Sequence, residues 1–255
     1  MKLKGIFDRF VDPDRKIRDS HTFKNIEAGV SIIFGMAGTS PPWKPDEINH
    51  WRSRNVGDQH GPENYIQEDN STYVMFEWLL KALGQNASFL EIGCNAGRNL
   101  NYLLKHGYTD LAGIEINDVS VNVVLKEHFP DLYEKGTFFI GNALDEIKKI
   151  PDERYDVVFS IGVFEHIPYE YKTLFNEVAR VSKRYIAIIT NEKSSKLFPH
   201  NYEKKFRNLG FTTIEYKLFY GENHNFNMPV EPYDAKKHAF DSKFLRIFIK
   251  NKKGG

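Results

Sequence analysis

From residue 88 onward, short apolar runs alternate with segments whose apolar positions recur every three or four residues. The runs Ser88–Ile92, Leu111–Ile116, Thr137–Gly141, Asp156–Ser160 and Tyr185–Thr190 have strand length. Asn99–Lys105, Ser120–His128, Leu144–Lys149, Tyr171–Val181 and Tyr202–Leu209 have helical spacing. This alternation predicts right-handed crossovers and a mostly parallel sheet with helices on both faces. Gly210 stops the last helix and opens a strand over Phe211–Phe219, and Phe244–Ile249 supplies a seventh strand. Between them the polar and aromatic stretch Gly221–Ser242 is long enough to be a functional loop. The tail from Lys250 is expected to fray.

Ahead of this core, Ser71–Leu83 reads as a helix capped by Ser71, stopped at Gly84, with Glu77 and Lys81 on its polar side. Residues 1–28 mix charged and apolar positions, and Phe7, Phe10 and Val11 suit one face of a short docking helix. Val30–Met36 fits a strand or a buried loop. Pro41, Pro42 and Pro45 rule out regular structure and mark a boundary. Residues 46–68 gather His50, Trp51, Arg52, Arg54, His60 and Tyr65, which suits either an anchored surface segment or a lid over a cleft. The chain therefore divides into an extension over 1–68, carrying the lid, and an α/β domain over 69–255.

One turn carries more information than the rest. Phe89-Leu90-Glu91-Ile92 runs into Gly93-Cys94-Asn95-Ala96-Gly97, and a helix follows. Gly93 permits a tight turn with bare backbone amides at a helix N-terminus, and Gly97 would let that helix lie close on the strand. Glu115 ends the next apolar run about 20 residues on, where an acid can hold two ribose hydroxyls. The pair of features indicates a nucleoside cofactor. The third glycine of a dinucleotide fingerprint is absent, which argues against a nicotinamide enzyme.

Leu90–Gly97 resembles the first motif of the class I S-adenosyl-L-methionine-dependent methyltransferases, and Gly113-Ile114-Glu115-Ile116 the second. Gly141-Asn142-Ala143-Leu144-Asp145 and Tyr155–Ser160 resemble the third and fourth, so the ordered set covers roughly residues 86–220. The resemblance implies a Rossmann-like seven-stranded sheet of order 3-2-1-4-5-7-6, its last two strands forming an antiparallel hairpin. It implies S-adenosyl-L-methionine as cofactor, held by Glu91, Gly93, Cys94, Asn95, Gly97, Glu115, Ile116, Asn142, Ala143, Ser160 and Gly162. Asn142 departs from the Asp common there. In the lid, Trp51 and Arg54 (or Arg52) would meet the methionine end, and Tyr65 the sulfonium or the acceptor. Cys94 reads as a small turn residue, since methyl transfer from a sulfonium needs no covalent step.

Glu165-His166-Ile167-Pro168 follows the fourth strand, and ligands of open α/β sheets bind beyond the carboxyl ends of strands. The resemblance places the histidine of this segment beside the acceptor, and an imidazole can take a proton from a hydroxyl or ammonium. His166 is thus the expected base, with Tyr65 as the second catalytic candidate. The remaining histidines show no ligand spacing with His166, so no metal is expected. Ile161-Gly162-Val163-Phe164 stands where amino-methylating enzymes of DNA carry an Asn/Asp-Pro-Pro-aromatic motif.

Composition narrows the partners. With 255 residues, 41% hydrophobic and 27% charged, the chain has ample core, and 35 basic against 34 acidic residues give a net charge of +1. Such balance offers no global attraction to nucleic acid or an anionic membrane. The single cysteine permits no intrachain disulfide, and no apolar run approaches the ~20 residues of a membrane span, so a cytoplasmic setting is expected. The expected activity is methylation of an oxygen or nitrogen on a small polar metabolite. By resemblance that acceptor belongs to saccharide, capsule or other surface-polymer, or natural-product pathways, or is a phosphorylated amino alcohol. A cofactor-binding regulator without turnover is the rival, and RNA or protein methylation the third reading.

Overall fold

A computed structural model describes residue 40 and residues 46–68, 70–192, 198, 200–219 and 243–252. The expected docking helix in 1–28, the 30–36 stretch, the prolines at 41–45 and the 221–242 loop lie outside these residues. Seven strands form one sheet in the order β3-β2-β1-β4-β5-β7-β6. They are β1 Phe89–Ile92, β2 Leu111–Glu115, β3 Thr137–Ile140, β4 Tyr155–Ile161, β5 Ser182–Thr190, β6 Phe211–Phe219 and β7 Lys243–Lys250. β1 pairs in parallel with both β2 and β4, whereas β7 runs antiparallel to β5 and β6.

Every residue of β1 and β2 is buried, which is why both read as unbroken apolar runs rather than alternating ones. Side chains still alternate between two cores. Leu90 and Ile92 join one, with Phe164, Phe175 and Phe206, and Phe89 joins the other with Met75, Phe76 and Leu79. Helices cover both layers: α1 Glu47–Arg52, α2 Asn70–Ala82, α3 Arg98–Lys105, α4 Lys126–His128, α5 Pro130–Lys135, α6 Ala143–Glu146, α7 Leu174–Val181 and α8 Tyr202–Asn208.

Several local expectations need correction. α2 begins at Asn70, so Ser71 lies inside its first turn instead of capping it. Ser120–Leu125 winds as a π-helix before α4. α5 was not among the expected helices; its Pro130 occupies the first turn, where a missing N–H costs nothing. Gly97, at φ 78°, serves a different neighbour from the one expected. A Cβ there would meet Leu125 Cδ1 at 2.6 Å and Leu132 Cδ2 at 3.0 Å, so its bareness seats the 120–135 region rather than a strand. Of the tail expected to fray, Lys250 and Asn251 are tied down, and residues 253–255 lie outside the described residues. Lys250 Nζ donates to Ser182 O at 2.8 Å and Asn251 N donates to Gly210 O at 2.8 Å.

Candidate functional site

The carboxyl ends of β1, β2 and β4 open into a cavity of about 490 Å³. Its floor is the turn after β1. Gly93 sits at φ +74°, and a Cβ on it would lie 2.4 Å from Val163 Cγ2, so the Val163 side chain after β4 packs directly on the bare backbone of the turn. Asn95 also takes a left-handed φ of 46°. Beneath the turn, Cys94 Sγ fills the space that a side chain at Gly113 would need, at 2.5 Å from that Cβ. Burial pushes the Cys94 thiol well above its ordinary range, as suits a packing residue and not a nucleophile.

Glu115 closes the floor from the end of β2. Its Oε2 accepts from Asn95 N at 2.8 Å and its Oε1 from Asn117 N at 2.9 Å. Burial raises this carboxyl, and the two backbone donors partly offset the rise. Glu91 is buried at the end of β1, where its Oε1 accepts from Asn99 Nδ2 at 2.7 Å, tying β1 to α3. Asn142 caps α6 by accepting from Leu144 N at 3.0 Å, which leaves its amide group as the remaining polar handle beside Ala143.

The roof comes from residues 46–68. Asp46 caps α1, accepting from Asn49 N, and Glu47, Ile48, His50 and Trp51 line the cavity together with His60 and Tyr65. Asn117 Nδ2 anchors this roof, donating to Arg54 O at 2.8 Å and Trp51 O at 3.3 Å. Burial raises the Tyr65 phenol above its usual value, while Arg98 opposes the rise.

His166 lies where roof and floor meet. Its Nδ1 is 2.8 Å from Glu47 Oε2, and the same carboxylate oxygen accepts from Trp51 Nε1 at 3.1 Å. The indole stands edge-on to the imidazole, with ring centroids 5.2 Å apart. Glu47 is only 8% exposed. Burial raises its carboxyl, but the hydrogen bonds and charge of His166 outweigh this and leave it below the ordinary range. An ionised Glu47 requires Nδ1 to donate, which in the neutral ring leaves the Nε2 lone pair free to accept.

The structure thus gathers Glu91, Gly93, Cys94, Asn95, Glu115, Ile116, Asn142, Ala143, Gly162, His166, Trp51 and Tyr65 around one cavity. Four expected residues lie elsewhere. Gly97 packs against Leu125 and Leu132. Ser160 is fully buried, donating from Oγ to Ile92 O at 3.0 Å, and so braces β4 on β1. Arg54 turns back on its own helix, donating from Nε to His50 O at 3.0 Å, and Arg52 donates to Asn49 Oδ1. The arginine that does line the cavity is Arg98, at the start of α3. Glu47, Arg98, Glu165 and Lys243 are site residues that sequence reasoning passed over. Glu47 had one signal, its four-residue spacing to Trp51. Among the described residues no group of three or more His, Cys, Asp or Glu side chains is placed to hold a metal, and no helix is long and apolar enough to cross a membrane.

No curated protein sequence is significantly similar to the chain. Among solved structures, a Galdieria sulphuraria protein assigned as a sarcosine dimethylglycine methyltransferase superposes with a TM-score of 0.58 at 17% identity, covering 82% of this chain and 100% of its own. Magnesium protoporphyrin IX methyltransferase from Synechocystis, with bound S-adenosylmethionine, gives 0.56 at 14%, covering 83% and 100%. A Pyrococcus horikoshii protein assigned as an RNA methyltransferase gives 0.54 at 18%, covering 87% and 98%. At such identities the likeness is one of fold, and that fold serves small and macromolecular acceptors alike. Residues 90–187 match the family model described as a methyltransferase domain, which spans β1 to β5 and most of the cavity floor. Residues 90–187 accordingly match a methyltransferase domain, set on the seven-stranded Rossmann-like fold that these structures share.

Proposed function

We propose that this protein transfers a methyl group to an oxygen or nitrogen of a small polar metabolite, with His166 as the base. The observation that carries the reading is the Glu47–His166 contact, which fixes one ring nitrogen as donor and leaves the other as acceptor at the cavity wall. The residues fit the cofactor: Gly93, at φ +74°, brings bare backbone to the cavity lining, and Asn95 Oδ1 is a buried acceptor without a partner among the described residues.

The turn amides at Gly93–Asn95 and the Glu115 carboxylate would hold the nucleoside, with Ile116, Asn142 and Ala143 beside its base. Asn142, its Oδ1 committed to the α6 cap, would offer its amide N–H to a ring nitrogen. Arg98 takes over the anion-pairing role first expected of Arg54. When bound, the cofactor supplies a methyl group already activated on a sulfonium. The chain's own work is alignment and exclusion of water. Ile92, Ile161, Val163, Ile167 and Leu174 provide apolar walls, and the 46–68 segment acts as a lid on the 69–255 domain. As the acceptor loses its proton, His166 Nε2 takes it, and Glu47 balances the charge gained on the ring. Tyr65 lies at the same cavity as a second polar contact for the acceptor. The near-neutral chain favours a small acceptor over nucleic acid.

His166→Ala should lower turnover about 100- to 10,000-fold with little change in cofactor affinity. Near-normal turnover would remove His166 from the chemistry, and an equal loss of cofactor binding would make it structural.

A further inference from the structure

The wall beside His166 holds a carboxyl with no evident task. Glu165 lines the cavity yet is only 3% exposed. One oxygen, Oε1, accepts from Asn191 N at 3.0 Å and so ties the end of β4 to the end of β5. The other, Oε2, is buried without a hydrogen-bond partner among the described residues. A buried carboxylate oxygen left unpaired is costly, and its neighbours do not relieve it. Tyr202 OH and Thr190 Oγ1 are buried and equally unpartnered, and Tyr202 is near enough to feel the Glu165 charge. Lys243, at the start of β7, lines the same cavity and also acts on Glu165 through space, but no ion pair joins the two. The cavity wall thus holds, beside the proposed base, a residue whose unsatisfied acceptor is buried just behind the surface, and a separate cation.

Resting on the methyltransferase reading above, we infer that Glu165 and Lys243 select a small zwitterionic acceptor, Glu165 taking its ammonium or other donor and Lys243 its anionic group. Burial raises the Glu165 carboxyl above its ordinary range. An ammonium docking there favours the ionised form. A carboxyl serving only to brace Asn191 would have no reason to line the cavity with one oxygen unpaired.

The test uses the full chain saturated with S-adenosylhomocysteine. β-Alanine and 4-aminobutyrate serve as zwitterionic probes, with propionate lacking the ammonium and propylamine lacking the carboxylate. At least one amino acid should bind about tenfold or more tightly than both controls, as expected for a charge-assisted hydrogen bond. Glu165→Gln should reduce that probe to the affinity of propionate, and Lys243→Met to that of propylamine. Equal binding of all four probes to the wild type overturns the inference, whatever the variants do. So does retained amino-acid preference in Glu165→Gln. Calorimetry with S-adenosylhomocysteine alone separates the two levels: loss of that binding in the wild type would refute the cofactor assignment, not the acceptor selectivity.

Discussion

Glu47 lies in the extension, 119 positions before the histidine it touches, and its removal gives a sharp expectation. Glu47→Ala deletes the acceptor for both His166 Nδ1 and Trp51 Nε1. The side chains are 10% and 22% exposed for Glu47 and His166, so solvent screens the contact only weakly. A hydrogen bond to a charged group at such burial is worth about 1.5–3 kcal/mol, or roughly 10- to 150-fold in rate if its full strength develops as the ring gains a proton. Turnover should fall by that factor while S-adenosylhomocysteine affinity, measured by calorimetry, stays within about threefold. Glu47→Gln, which keeps a neutral acceptor, should lose less. Nitrogen-resolved NMR should show His166 protonated at Nδ1 in the wild type and redistributed toward Nε2 in Glu47→Ala. In a His166→Ala background the Glu47 substitution should add almost nothing, because the two act as a unit. Additive losses, or an unchanged His166 tautomer, would refute the clamp.

Three further outcomes follow from the geometry. Gly93→Ala should cost about 2–5 kcal/mol in denaturant unfolding, from left-handed strain plus overlap with Val163; Val163→Ala should restore the overlap part, and failure to do so would refute that contact as the cause. His200 is buried, its Nε2 3.0 Å from Ile167 O, and desolvation lowers it to about 4. Above the unfolded value near 6.5 neither state binds a proton there, but as pH falls toward 4 the unfolded chain gains one that the native state refuses. Stability should therefore drop by about 3 kcal/mol across that window, and His200→Gln should flatten the profile of melting temperature against pH. Finally, amide exchange over 46–68 should slow when S-adenosylhomocysteine binds; equal protection in both states would make this segment a fixed wall.

The core strands were legible because burial on both faces removes alternation and leaves plain apolar runs, as at Leu111–Ile114 and Tyr185–Ile189. The floor was legible because Gly93 and Glu115 do their work through spacing and backbone freedom, which a sequence displays. Contacts made across long separations were not. Nothing near Glu47 announces a histidine 119 residues away, and nothing around Arg54 shows that it folds back on His50 O while Arg98 lines the cavity. Ser160 and Gly162 both stand at the end of the fourth apolar run, but only the fold shows that the Ser160 hydroxyl bonds Ile92 O while Gly162, past the end of β4 at φ +69°, lines the cavity. Glu165 was visible as a neighbour of His166. Its burial and its unpaired oxygen belong to the packed state and leave no mark on the local pattern.

The central claim is that Gly93, Asn95 and Glu115 form a nucleoside-binding floor for S-adenosylmethionine. Isothermal calorimetry of S-adenosylhomocysteine against wild type and Glu115→Ala, with circular dichroism confirming that the variant stays folded, tests it most directly. The wild type should bind at one site and ignore NAD, and the variant should bind about 30- to 1000-fold more weakly, through loss of two charge-assisted hydrogen bonds. Absence of binding to the wild type, or undiminished binding to the folded variant, would contradict it.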